Sequence, residues 1–195
     1  MYLEQKFSIG ELDGISKRTI EEHLKLYAGY VKHVNVIYEK IEEYVKDSEK
    51  HAYALGELQR RFGFEFDGMR NHEYYFRSLE GGPAALSEDS LLKKQIAQEW
   101  GSFDAWLIRF KSIAMLRGIG WAMLYWDPHA KRLVNAWVDE QHLGQLVGLL
   151  LILGLDMWEH SYYLDYGTEK KKYSEAFFKN LNWNVIENNF VKAIA

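Results

Sequence analysis

The stretch DMWEHSYYLDY, residues 156 to 166, places a carboxylate and an imidazole among aromatic and aliphatic side chains. The preceding run LVGLLLILGL, residues 146 to 155, is almost entirely apolar, so Asp156 is predicted to lie at the end of a buried strand. His160 follows within about one helical turn. Because isolated buried charges are costly, a metal cation bound by Asp156 and His160 would offset that cost. A D-x-x-x-H pair alone is weak support for a metal site, so further ligands must come from elsewhere in the chain.

The composition limits the kinds of site that the chain can build. With 195 residues, 48% of them hydrophobic, it is long enough to bury one substantial core. The absence of cysteine excludes disulfides, thiolate zinc sites and cysteine nucleophiles, so any metal ligands must be His, Asp or Glu. A net charge of -4 gives no basis for non-specific binding of nucleic acid. No apolar stretch has the length of a signal or a membrane span, so we expect a soluble cytoplasmic protein with no membrane partner.

Two long helical patterns precede residue 80. Apolar residues spaced by three, four and seven predict a helix over residues 16 to 46, which Ser16 or Thr19 can cap. After the polar break KDSEK, residues 46 to 50, a second helical pattern continues to Leu79. These two helices are predicted to form an antiparallel hairpin.

The segment EGGPAALSEDS, residues 80 to 90, contains the strongest turn signal in the sequence, the run Gly81, Gly82 and Pro83. We place a domain boundary between Gly82 and Pro83. One or two helices are predicted over residues 88 to 116, split near Gly101. The run GWAMLYWDPHAKRLVNAWV predicts two strands joined by the turn DPHA, and helical segments follow the buried strand that ends at Asp156. The predicted fold class is α+β, with a helical hairpin domain (1–82) and a mixed α/β domain (83–195) containing a three-stranded antiparallel sheet.

Two further histidines lie on apolar helix faces. His23 and His72 each follow an apolar residue by three positions and precede an aromatic residue by four. Either one alone is more often a core histidine bonded to a backbone carbonyl. However, the midpoint between them falls in the polar break, so an antiparallel hairpin returns His72 close to His23. Together with Asp156 and His160 they make a set of donors that a cation would explain.

Four motifs, in order along nearly the whole chain, resemble those of the iron/manganese superoxide dismutases. DMWEHSYYLDY, with Tyr173 and NLNW (180–183), is similar to the C-terminal signature of the family. The other three similar segments are TIEEHLKLYAGYVKHVN (19–35), RNHEYYF (70–76) and GIGWAML (118–124). The resemblance implies a homodimer or a larger assembly of such dimers, with one manganese or iron ion per subunit and superoxide as the substrate. The metal ligands it implies are His23, His72, Asp156 and His160.

The resemblance also implies a group that bonds the solvent molecule on the metal. Iron enzymes of the family usually carry Gln four residues before the second-helix ligand, where this chain has Gly68, and Gly154 also favours manganese over iron. The segment VDEQHLGQ, residues 138 to 145, offers Gln141 and His142 for this role. We expect His142 to fill it, with Gln141 as the alternative.

Several residues near the implied entrance depart from the family pattern. Tyr30 lies seven residues after His23 instead of eight, and we expect it to be the proton-relay tyrosine. Tyr27 replaces a His that makes a cross-subunit hydrogen bond to Tyr163, and Lys170 replaces an entrance arginine that steers superoxide. The remaining roles that the resemblance implies are the bond from Glu159 to His160 of the partner subunit and the site walls Trp121 and Trp158.

Two other functions stay open at this point. A zinc hydrolase could use a similar donor set, but it needs an open metal position with a nearby base, and no H-E-x-x-H motif is present. The other is a catalytically weak or inactive family member that binds metal in a structural role.

Overall fold

Two long antiparallel helices form the first part of the chain, as the apolar spacing predicts. In the computed structural model, which describes all 195 residues, α1 spans Lys17–Tyr44 and α2 spans Ala52–Arg77. The side chain of Ser16 accepts a hydrogen bond from the backbone N–H of Thr19 and so caps α1. A 3-10 helix, Val45–Asp47, begins the polar turn between the two helices.

The second part of the chain combines five shorter helices with three strands. Gly101, with a φ of +87°, ends the first of these helices, and the side chain of Ser102 caps the next one by accepting from the N–H of Ala105. The predicted break near Gly101 therefore separates two helices. The remaining elements of the chain are α3 (Leu91–Trp100), α4 (Phe103–Ala114), β1 (Gly120–Asp127), β2 (Arg132–Asp139), β3 (Leu150–Asp156), α5 (Glu159–Tyr166), α6 (Lys170–Asn180) and α7 (Trp183–Ile194).

The three strands form one antiparallel sheet in the order β2-β1-β3. In the turn between β1 and β2, Oδ1 of Asp127 accepts hydrogen bonds from the N–H groups of His129 and Ala130, which confirms the predicted DPHA turn. The central strand β1 is buried through Trp126. It pairs with β3 so that Trp121 lies opposite Asp156, which places Asp156 at the buried end of β3.

One continuous hydrophobic core joins the helical hairpin to the sheet. Helix α2 packs against β3 and α1 against α5, so the hairpin faces the end of β3 and the start of α5. The predicted boundary at residues 82 and 83 lies in the segment between α2 and α3. The division into two domains stays a prediction. None of the helices combines the length and the apolar composition needed to cross a membrane.

Candidate metal centre

Four side chains from four different elements meet in the interior. They are His23 of α1, His72 of α2, Asp156 at the end of β3 and His160 of α5, and one donor atom from each lies within 4.8 Å of the others. Oδ2 of Asp156 is 3.1 Å from Nε2 of both His23 and His160, and 3.6 Å from Nε2 of His72. The first three residues are fully buried, whereas 20% of the His160 side chain is exposed. Three imidazole nitrogens therefore surround a single carboxylate oxygen.

The orientation of Asp156 follows from its place at the end of a strand. Its Oδ1 accepts a hydrogen bond of 2.8 Å from the backbone N–H of Trp158, two residues on. Its backbone carbonyl accepts from the hydroxyl of Ser161. These bonds fix the chain between β3 and α5, and they leave Oδ2 to face the three imidazoles.

The hydrogen bonds of the imidazoles indicate which nitrogen atoms can act as ligands. Nδ1 of His72 lies 2.6 Å from the carbonyl oxygen of Gly68, and because a carbonyl only accepts, Nδ1 must carry the proton. Nε2 of His72 is then unprotonated and has a free lone pair. This atom is buried and has no hydrogen-bond partner. A buried acceptor without a partner costs free energy that a bound cation would recover. The four donors, three nitrogens and one oxygen, therefore fit a bound transition-metal ion.

The protonation states also fit a metal ion. Burial lowers the pKa of His23, and burial together with the neighbouring His23 lowers the pKa of His72 to about 3. Burial alone would raise the pKa of Asp156, but His160 and His23 outweigh it and hold that pKa below its usual value. The lowered pKa values favour neutral His23 and His72 beside a negatively charged Asp156, and these are the forms that bind metals.

A hydrogen-bonded chain of side chains runs along one edge of the centre. The buried Gln141 donates from Nε2 to the hydroxyl of Tyr30 over 3.0 Å, and its Oε1 accepts from Nε1 of Trp121 over 2.9 Å. The ring centre of Tyr30 lies 5.1 Å from that of His72. Burial, with a smaller effect of the charge on Asp156, raises the pKa of Tyr30. Tyr30 and Gln141 are thus connected to each other at the edge of the centre.

His142 and Gln141, the two candidates for bonding the solvent on the metal, have different surroundings. The ring of His142 packs edge-to-face on Phe64, with 5.7 Å between the ring centres, and its Nδ1 has no hydrogen-bond partner. Gln141, not His142, bonds to Tyr30. Neighbouring residues of this loop point in different directions, since Gln141 is fully buried and His142 only partly so. Gln141, the alternative that the sequence offered, is therefore the neighbour that contacts Tyr30, and which of the two bonds the solvent on the metal stays a prediction.

Asn71 was not among the residues that the sequence indicated. It is buried next to His72, and its Nδ2 donates to the carbonyl of Gln141 over 2.9 Å. This bond fixes the loop after β2 to the helix that carries His72. The only signal in the sequence was its position inside the motif RNHEYYF.

Aromatic rings enclose the four donors. Trp121 meets His72 edge-to-face at 5.2 Å between ring centres, and Trp158 stacks on His160 at 5.6 Å. Phe76 covers His23 at 4.9 Å. Both tryptophans expected to wall the site therefore lie against two of its donors.

Three residues implied at the subunit contact differ in their surroundings in the single chain. Glu159 is exposed, as is Tyr163. Tyr27 is buried, and its hydroxyl donates to Oε1 of Glu73 and accepts from the N–H of Gln5. Tyr27 is thus satisfied inside its own chain, while the cross-subunit roles of Glu159 and Tyr163 stay predictions.

Lys170 is held by the connection between α4 and β1. Its Nζ donates to the carbonyl oxygens of Leu116, over 3.2 Å, and Gly118, over 3.3 Å. Burial lowers the pKa of Lys170, with Glu159 partly opposing this effect. The sequence did not indicate these bonds, and the role of Lys170 in steering an anion stays a prediction.

The similarity to known proteins covers the helical hairpin as well as the sheet. Residues 88–189 match the family model for iron/manganese superoxide dismutases, C-terminal domain. The chain is 38% identical to the iron superoxide dismutase of Aquifex pyrophilus over 94% of this chain and 87% of that relative. It is 34% identical to the iron superoxide dismutase of Cupriavidus metallidurans, over 94% of this chain and 92% of the relative.

A relative named for the other metal is similar to about the same degree. The manganese superoxide dismutase of Mycolicibacterium smegmatis is 34% identical over 88% of this chain and 82% of its own length. Matches of this extent include both helices of the hairpin and all three strands. The chain therefore belongs to the iron/manganese superoxide dismutase family of enzymes.

Proposed function

We propose that this protein is a superoxide dismutase, which converts superoxide to oxygen and hydrogen peroxide at a mononuclear manganese or iron site. The observation that carries the proposal is the convergence of four donor side chains in the buried interior, those of His23, His72, Asp156 and His160. These residues would hold one ion per subunit. When bound, manganese or iron would supply one-electron chemistry, because both metals alternate between two oxidation states, whereas zinc does not.

The ligand residues have distinct parts in this proposal. The negative charge of Asp156, in a low-dielectric interior, would favour the more oxidised state of a bound ion. His72 is held in one tautomer by the carbonyl of Gly68, so its Nε2 stays available as a donor. Trp121 and Trp158 exclude water, which preserves the strength of these electrostatic interactions.

Tyr30 is proposed to deliver protons, of which dismutation consumes two for each pair of superoxide ions. Its raised pKa keeps the hydroxyl protonated at neutral pH. Gln141 donates to the Tyr30 oxygen, so the hydroxyl hydrogen is not used in that bond. It remains free to point toward an oxygen atom at the centre. Gln141 therefore orients Tyr30 without consuming the proton that Tyr30 would donate.

We also propose that the protein is a cytoplasmic homodimer. The exposed side chains of Glu159 and Tyr163 support a contact close to His160, which itself is partly exposed. In this arrangement Glu159 bonds His160 of the partner subunit, and each centre is completed across the interface.

The proposal is tested by loading the purified protein with manganese alone or iron alone and measuring superoxide consumption. We expect turnover with at least one of the two metals. A zinc-loaded sample is the matched control, because zinc can occupy the same donors but cannot change oxidation state. Full occupancy with manganese and with iron, without turnover in either case, would reject catalysis and favour a metal-binding family member with a structural role.

We expect His72→Ala to bind much less than one ion per chain, because it removes the donor whose Nε2 has no other partner. Metal content would be measured by elemental analysis and helix content by circular dichroism. The helical signal should persist, since the hairpin buries many other side chains. His33→Ala is the control, as His33 is exposed on the same hairpin. A full equivalent of metal in His72→Ala would remove His72 from the ligand set.

Gln141→Ala is expected to lower kcat by about 10- to 100-fold at unchanged metal content, because Tyr30 loses the donor that orients it. His142→Ala should leave kcat close to that of the unmodified protein, since His142 packs on Phe64 and does not bond Tyr30. Steady-state kinetics on both variants decide between the two neighbours. Loss of activity confined to His142→Ala would restore the assignment that we expected from the sequence.

If Lys170 attracts superoxide, Lys170→Gln should lower kcat/KM at low ionic strength, and the difference should close as salt is added. The screening length falls from about 30 Å at 0.01 M to about 10 Å at 0.1 M salt, which weakens long-range attraction. Lys171→Gln removes the same charge from an exposed neighbour and is the control. Identical salt profiles for the two variants would show that Lys170 only holds the chain before β1.

A further inference from the structure

Gly68 is the one glycine of α2 whose missing side chain leaves space that another residue fills. A Cβ atom built at Gly56 meets nothing within 4 Å, and one at Gly63 makes an ordinary contact of 3.4 Å with His142. A Cβ atom at Gly68 would lie 2.6, 2.7 and 3.0 Å from Cδ1, Cε1 and Cγ of Tyr30. Glycine destabilises a helix interior relative to alanine, so its presence here calls for a local reason.

The Tyr30 side chain has little freedom to make way for such an atom. Its ring packs on His72 and, at 6.0 Å between ring centres, on Phe64. Its hydroxyl accepts a hydrogen bond from Gln141. The close atoms include Cγ, which lies at the root of the ring, so relief requires the whole side chain to rotate at χ1. That rotation would carry the hydroxyl away from Gln141.

The backbone of Gly68 has a second contact that is independent of its missing side chain. Its carbonyl oxygen accepts the hydrogen bond from Nδ1 of His72. An alanine at this position keeps the carbonyl and so keeps this bond. A substitution by alanine therefore separates the space that Gly68 provides for Tyr30 from its support of His72.

We propose that Gly68 is the positioning residue for Tyr30: the space beside its Cα lets the ring lie against α2 with the hydroxyl on Gln141. Gly68 itself touches no substrate and acts through Tyr30. The effect on turnover rests on the proposed dismutase function, whereas the packing of Tyr30 on Gly68 does not.

The packing is tested by thermal unfolding of the full chain in two backgrounds, the unmodified protein and Tyr30→Ala. Gly68→Ala should lower the unfolding midpoint, while the control Gly56→Ala should raise it because alanine favours the helix and meets no atom. In a Tyr30→Ala background the clash is gone, so Gly68→Ala should raise the midpoint as Gly56→Ala does. The same background restores folding if Gly68→Ala alone fails to fold. A rise in the midpoint on Gly68→Ala with Tyr30 present would overturn the proposal.

The consequence for Tyr30 is tested by a kinetic cycle on metal-loaded protein. Tyr30→Phe keeps the ring and removes the hydroxyl. We expect each of the two variants, Tyr30→Phe and Gly68→Ala, to lower kcat by about tenfold or more at unchanged metal content. The double variant should be no slower than Tyr30→Phe, because both changes remove the same proton donor. If the fold-reductions in kcat of the two single variants multiply in the double variant, the positioning role is overturned. Absence of turnover in the unmodified protein would instead reject the proposed function, and the unfolding cycle would still decide the packing.

Discussion

Three imidazole nitrogens crowd around one carboxylate oxygen in the interior, and the rest of the structure is arranged around that convergence. Without a cation the arrangement is unfavourable, since the centre has a buried negative charge and Nε2 of His72 has no hydrogen-bond partner. A bound cation makes the same geometry favourable, because the three Nε2 atoms and the carboxylate oxygen then face a positive charge. The four donors come from four elements, so one ion would tie α1 and α2 to β3 and α5 and contribute directly to folding.

Much of the fold and all four donors were predictable because they follow from local periodicity and chain geometry. The equal lengths of the two arms of the hairpin bring His23 and His72 together, and the apolar run before Asp156 indicates a buried strand that ends in a carboxylate. These features depend on spacing within an element. The DPHA turn was predictable for a similar reason, since the Asp127 side chain bonds backbone groups only two and three residues away.

The residues around the donors were harder to predict because their directions depend on irregular backbone and on distant neighbours. Gln141 and His142 follow Glu140, whose φ of +50° belongs to a sharp turn, and no periodic pattern indicates which of them faces inward. The resemblance to members of the family that carry His favoured His142, but the turn buries the glutamine. Lys170 bonds carbonyls that lie more than fifty residues earlier in the chain, a contact that the composition around it does not indicate.

Tyr30 lies seven residues after His23, one fewer than in the family pattern, and this shift changes the direction in which its side chain leaves the helix. Residues are about 100° apart around a helix, so a residue seven positions on returns to within about 20° of the starting direction, whereas one eight positions on is about 80° away. Tyr30 therefore leaves α1 on nearly the same side as His23, toward α2. In an antiparallel hairpin that carries His72 opposite His23, this position lies against Gly68, one turn before His72. A glutamine at position 68, as in many iron enzymes of the family, would compete with Tyr30 for this space. In this chain the amide that bonds the tyrosine comes from another segment, where Gln141 supplies it.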